Sequence, residues 1–124
     1  YKYLNKPPFN PPDWIFMPVW IILYFLMGIS FGIFFSYSFE KDTKRLGITA
    51  FVLQLFFNGM WSLVFFGLKN ILLGLAVILI LIVSIIFCIR EFRKVNIFAS
   101  YLMLPYLFWV CFASILNISI FIMN

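Results

Sequence analysis

The chain contains no histidine, only four acidic residues and only two cysteines among its 124 residues. Each scarcity excludes something. Without histidine the commonest general base and metal ligand is missing. Cys88 and Cys111 sit in apolar runs and form no CxxC pattern, so they read as small buried hydrophobes, and no metal site is expected. Charged side chains make up 10% of the chain, against about 25% in ordinary soluble domains. The balance of nine basic over four acidic residues gives +5. That excess is too small and too scattered to serve a nucleic-acid partner.

What is abundant is hydrophobicity, at 65% of residues, with 18 phenylalanines, six tyrosines and four tryptophans. A small soluble core could not hide so much apolar surface, so lipid is the expected partner. Charges divide the chain. Residues 1–13 are polar, carry four prolines and read as a loop. Charge-free runs follow over approximately 14–39, 46–68, 70–89 and 95–122. A helix needs roughly 20 residues to cross the hydrocarbon layer, and each run reaches that length. The runs are apolar all round, which argues against alternating membrane strands. The expected fold class is therefore an all-α membrane protein, a helical bundle in one domain over residues 1–124. Lys69 and Asn70 make a short link, so the second and third spans form an antiparallel hairpin. Six basic residues (Lys41, Lys44, Arg45, Arg90, Arg93 and Lys94) flank the 40–45 and 90–94 loops, against Lys2, Lys6 and Lys69 on the other side. This places those two loops in the cytoplasm.

Within the spans the informative residues are polar or indole-bearing. Gln54, Asn58, Trp61 and Phe65 follow i, i+4, i+7, i+11 and share one helical face. Unpartnered amides in hydrocarbon cost several kcal/mol, so Gln54 and Asn58 should point inward and be hydrogen-bonded. They serve either as glue between helices or as ligand contacts. Tyr106, Trp109, Ala113 and Asn117 repeat the pattern in the last span, and Trp20 and Tyr24 stand i, i+4 in the first. Trp14, at a span end, reads as an interfacial belt residue. Gly28 and Gly32 form a G-x-x-x-G, either a close helix seam or simply membrane-helix glycine. The charge-free runs leave no ionisable group for ion coupling and no acid–base pair for hydrolysis. A large, flat, apolar ligand held by stacking and a few amides is what remains.

The run Lys6-Pro7-Pro8-Phe9-Asn10-Pro11-Pro12-Asp13-Trp14-Ile15-Phe16-Met17-Pro18-Val19-Trp20 resembles a signature of the TspO/MBR family, the tryptophan-rich sensory proteins and translocator proteins. The likeness continues through Leu23 to Gly28, Gln54 to Ser62, Phe65 to Gly67, Pro105 to Val110 and Phe112 to Asn117. It implies a five-helix bundle, often a homodimer, that binds porphyrins of the protoporphyrin type and other apolar ligands, with no required cofactor. Carried over by motif, the ligand-binding residues are Trp20, Tyr24, Gln54, Asn58, Trp61, Trp109, Ala113 and Asn117; Tyr106 joins them from the helical-face reading. No catalytic residue is assigned. Lys6 is a candidate partner for ligand carboxylates.

Two departures bear on these expectations. Family members carry a helix before the proline-rich loop, and Tyr1 matches a position just after it, so four of five spans are expected here. The terminal run Asn117 to Asn124 lacks the Tyr and base of the animal cholesterol-recognition pattern, so cholesterol binding by that motif is not expected. A multi-pass protein of a bacterial cell membrane is the expected setting. Receptor or carrier is the leading expectation. Light-dependent porphyrin degradation using tryptophans, or a regulatory module whose ligand biases a partner contact, are the alternatives.

Overall fold

A computed structural model describes residues 13–68 and 70–123. Four helices account for nearly all of them: α1 (Asp13–Tyr37), α2 (Lys41–Ser62), α3 (Ile71–Arg93) and α4 (Ile97–Met123). Among the described residues there is no strand. All four helices are long and apolar enough to cross a membrane. The proline-rich segment, with Lys6, lies outside the described residues apart from Asp13, as does Lys69.

The helices overrun the charge-free stretches. α2 starts at Lys41, inside the charged segment, and α3 continues to Arg93. The charge pattern marks the part of a helix that lipid surrounds; backbone bonding carries the helix on into the headgroup region. Arg90 and Arg93 in the last turn of α3 suit its negative end. Beyond the charge-free run, one ionisable side chain turns into the bundle. Glu91 is buried and takes an ion pair from Lys94 Nζ at 3.0 Å.

The starts of α3 and α4 are set locally by asparagine. Asn70 Oδ1 accepts from Leu73 N at 3.0 Å, and Asn96 Oδ1 from Phe98 N at 2.9 Å, so each amide satisfies an otherwise orphaned N–H. Pro18 and Pro105 lie inside α1 and α4; membrane helices tolerate this because neighbours re-satisfy the freed carbonyls. α2 ends in a wide π-turn, Leu63–Gly67, closed by Leu68 N donating to Leu63 O at 2.9 Å. Such turns often mark functional positions.

α3 packs extensively against both α2 and α4, and α1 lies mainly on α4. The approach of α1 to α2 is sparse. Side chains bridge it instead. Near the 38–40 link, Phe34 is fully buried and stacks on Phe92 of α3, ring centroids 4.4 Å apart. Its ring lies over Gly47 of α2, where a Cβ would stand 2.0 Å from Phe34 Cζ. Phe31 stacks on Phe51 at 4.5 Å in the same layer. Farther along, Ser30 Oγ donates to the Ala99 carbonyl at 2.5 Å, tying α1 to α4. In lipid, hydrophobicity does not drive helices together, so such packing and polar ties carry more of the association.

Candidate functional site

The amide face of α2 is the spine of the site. Gln54 is fully buried, and its Nε2 donates to Met27 Sδ of α1 at 3.2 Å. Its Oε1 is buried with no hydrogen-bond partner. One turn on, Asn58 is buried between α1 and α4. Its Oδ1 accepts from the Tyr24 hydroxyl at 2.5 Å, and its Nδ2 donates to the Tyr106 hydroxyl at 2.8 Å. A single carboxamide thus joins three helices. Tyr106 is almost wholly buried, whereas the Tyr24 ring is 45% exposed. Trp20, partly buried, stands against both: 5.8 Å from Tyr24 and edge-on to Tyr106 at 6.3 Å.

A second group lies toward the π-turn. Trp61 is buried and stacks on Phe65, centroids 5.1 Å apart. Its Nε1 donates to Asn117 Oδ1 at 3.1 Å. Asn117 Nδ2 donates in turn to the Ile71 carbonyl at 3.0 Å, so α2, α4 and α3 are linked through one amide. Gly74 makes room for it, since a Cβ there would stand 3.2 Å from Asn117 Oδ1. Ala113 is buried one turn before Asn117. Trp109 is partly buried with its ring against Phe112, 5.5 Å away on the same helix.

The residues expected from sequence therefore form two adjoining clusters. Trp20, Tyr24, Gln54, Asn58 and Tyr106 meet across α1, α2 and α4. Trp61 and Asn117 meet nearer the α2–α3 link. The amides act as glue at Asn58 and Asn117, where every side-chain amide atom has a partner. Gln54 differs, because half of its amide is left over. Met27, Ile71 and Gly74 were not foreseen. A thioether acceptor, a backbone carbonyl and a missing side chain carry no polar signal in sequence. The Gly28–Gly32 pair lies on the exposed side of α1, with nothing within 4 Å of where either Cβ would be. Among the described residues no group of His, Cys, Asp or Glu is placed to hold a metal.

Comparison with known proteins gives the family. The model of the TspO/MBR family matches residues 1–123. The chain is 41% identical over 124 residues to the tryptophan-rich protein TspO of Chlorobaculum tepidum, covering all of this chain and 78% of that protein. It is 44% identical to the protein of the same name from Archaeoglobus fulgidus, covering all of this chain and 79% of the relative. The human translocator protein is 33% identical, over 94% of this chain and 70% of its own length. With four apolar helices and a match of this extent, the protein is a multi-pass integral membrane protein, and the chain belongs to the TspO/MBR family.

Proposed function

We propose that this protein is a membrane receptor or carrier for flat, apolar ligands of the porphyrin class, bound where α1, α2 and α4 meet. The observation that carries the reading is the Gln54 carbonyl: a buried acceptor without a partner, one helical turn from the Tyr24–Asn58–Tyr106 network. A buried amide oxygen left unpaired costs about 1–3 kcal/mol. A ligand N–H recovers that cost on binding, and the pyrrole N–H groups of a free-base porphyrin are such donors.

Shape points the same way. The half-exposed Tyr24 ring and the neighbouring Trp20 offer aromatic surface at the sparsely packed seam between α1 and α2. A macrocycle sliding in from the membrane would meet π-faces first and the Gln54 amide deeper. Stacking contributes about 0.5–1.5 kcal/mol per ring pair beyond area burial. The ligand's carboxylates would stay toward the end of α1 that starts at Asp13, within the aqueous boundary. The translocator name carried by the human relative suits a protein that passes such a ligand on.

The test is a titration of protoporphyrin into detergent-solubilised protein, followed by tryptophan quenching. Trp20→Leu with Trp109→Leu is expected to weaken binding at least about tenfold, the equivalent of about 1.4 kcal/mol. Unchanged affinity in that double variant, with helical content retained, would overturn the stacking site.

A further inference from the structure

A second feature lies outside the amide clusters. At the end of α3 a cavity of about 480 Å³ is lined by Ile86, Ile89, Arg90, Arg93 and Lys94. Their spacing of i, i+3, i+4, i+7, i+8 makes one stripe of the helix. Two isoleucines and three cationic side chains line it. Lys94 is already paired with Glu91 at 3.0 Å. Among the described residues neither Arg90 nor Arg93 has an ion-pair partner.

The stripe continues down the helix. Leu79, Val83 and Ile86 are exposed on the bundle surface, 49%, 67% and 50% respectively, at i, i+4, i+7, and Arg90 follows at i+11. An apolar track thus runs up the lipid-facing side of α3 and ends beneath two unpaired guanidinium groups. That order matches a phospholipid, acyl chain below and phosphate above.

We infer that this cleft is a binding site for an anionic phospholipid in the leaflet beside the α1–α2 and α3–α4 links. A guanidinium donates two parallel N–H bonds to phosphate oxygens, which an exposed ammonium does not reproduce. The negative end of the α3 dipole disfavours an anion close to the backbone. The arginine side chains hold the phosphate beyond it. An anionic headgroup is preferred over a zwitterionic one because, among the described residues, neither guanidinium is ion-paired with a carboxylate and the one carboxylate between them, Glu91, is buried and paired with Lys94.

Native mass spectrometry of protein released from mixed phosphatidylglycerol and phosphatidylcholine of equal chain length tests this. The wild type is expected to retain phosphatidylglycerol selectively. Arg90→Gln with Arg93→Gln is expected to weaken that retention at least about tenfold. Lys41→Gln with Arg45→Gln removes two charges from the same end of the bundle but not from the cleft, and is expected to leave it intact. Ile86→Trp fills the groove without altering charge and is expected to lower retention, which keeps the test alive if the arginine variant fails to insert. Equal loss in the Lys41/Arg45 variant would show general surface attraction and overturn the site. So would unchanged retention in both the arginine and Ile86 variants. Displacement of the lipid by millimolar inorganic phosphate would identify a free-anion site instead and overturn the lipid assignment.

Discussion

The Trp61 indole N–H donates to Asn117 Oδ1 at 3.1 Å across 56 positions of sequence, and the same amide donates to the Ile71 carbonyl at 3.0 Å. Asn117→Ala therefore removes both bonds, while Trp61→Phe leaves Asn117 one partner. Interhelical bonds of this kind in membranes contribute about 0.6 kcal/mol on average and up to about 1.7. Asn117→Ala is expected near the upper figure, Trp61→Phe below it. Thermal unfolding in detergent of both single variants and the double measures the coupling, which should be positive and about 0.5–1.5 kcal/mol.

Gly47→Ala should be the most damaging single-atom addition in the bundle. Its Cβ would meet Phe34 Cζ at 2.0 Å and both neighbouring ring carbons within 2.7 Å. Phe34 cannot swing aside, because it is fully buried and stacked on Phe92. Overpacking costs about 1–3 kcal/mol, which exceeds the gain of about 1 kcal/mol from replacing a helical glycine. Phe34→Leu should relieve it, so the double variant is expected to melt higher than the sum of the two single losses allows.

Gly74→Ala is the contrasting case. Its Cβ would stand 3.2 Å from Asn117 Oδ1 and 3.3 Å from the Phe65 ring, a displacement of a few tenths of an ångström rather than a collision. The propensity gain of about 1 kcal/mol offsets most of the strain, so the melting temperature should move little. The Trp61–Asn117 bond should lengthen, and a change in Trp61 emission, read with the other tryptophans replaced, checks it.

Gln54→Met separates stability from binding. The substitution keeps length and removes a buried carbonyl that has no hydrogen-bond partner. It also removes the weak bond to Met27 Sδ. Stability is expected to hold or rise by up to about 1 kcal/mol, because burying an unpaired polar group costs more than a thioether bond returns. Porphyrin affinity is expected to fall about three- to tenfold, the worth of one net hydrogen bond. Unfolding midpoints and quenching titrations on the same preparations check both signs.

Sequence alone determined the solvent, the class and the inward faces. Charge-free runs of this length permit only membrane helices, because lipid leaves no other way to satisfy the backbone. The amides at 54, 58 and 117 had to turn inward for the same reason, and they do. Helix ends were less legible: hydropathy reports where lipid stops, whereas the helix of α3 stops only after Arg93, and Glu91 turns inward on the way. Partner choice was not legible at all. Spacing puts Trp61 and Asn58 on one face, but only the packing of α1 and α4 decides that one amide is saturated by two tyrosines and another is left with an open carbonyl. The same holds for Gly47 and Gly74, where the decisive quantity is a distance to a side chain on another helix. Periodicity along a helix is a local property written into residue order. Which faces meet, and which polar atom is left without a partner, depends on how the helices divide the available space.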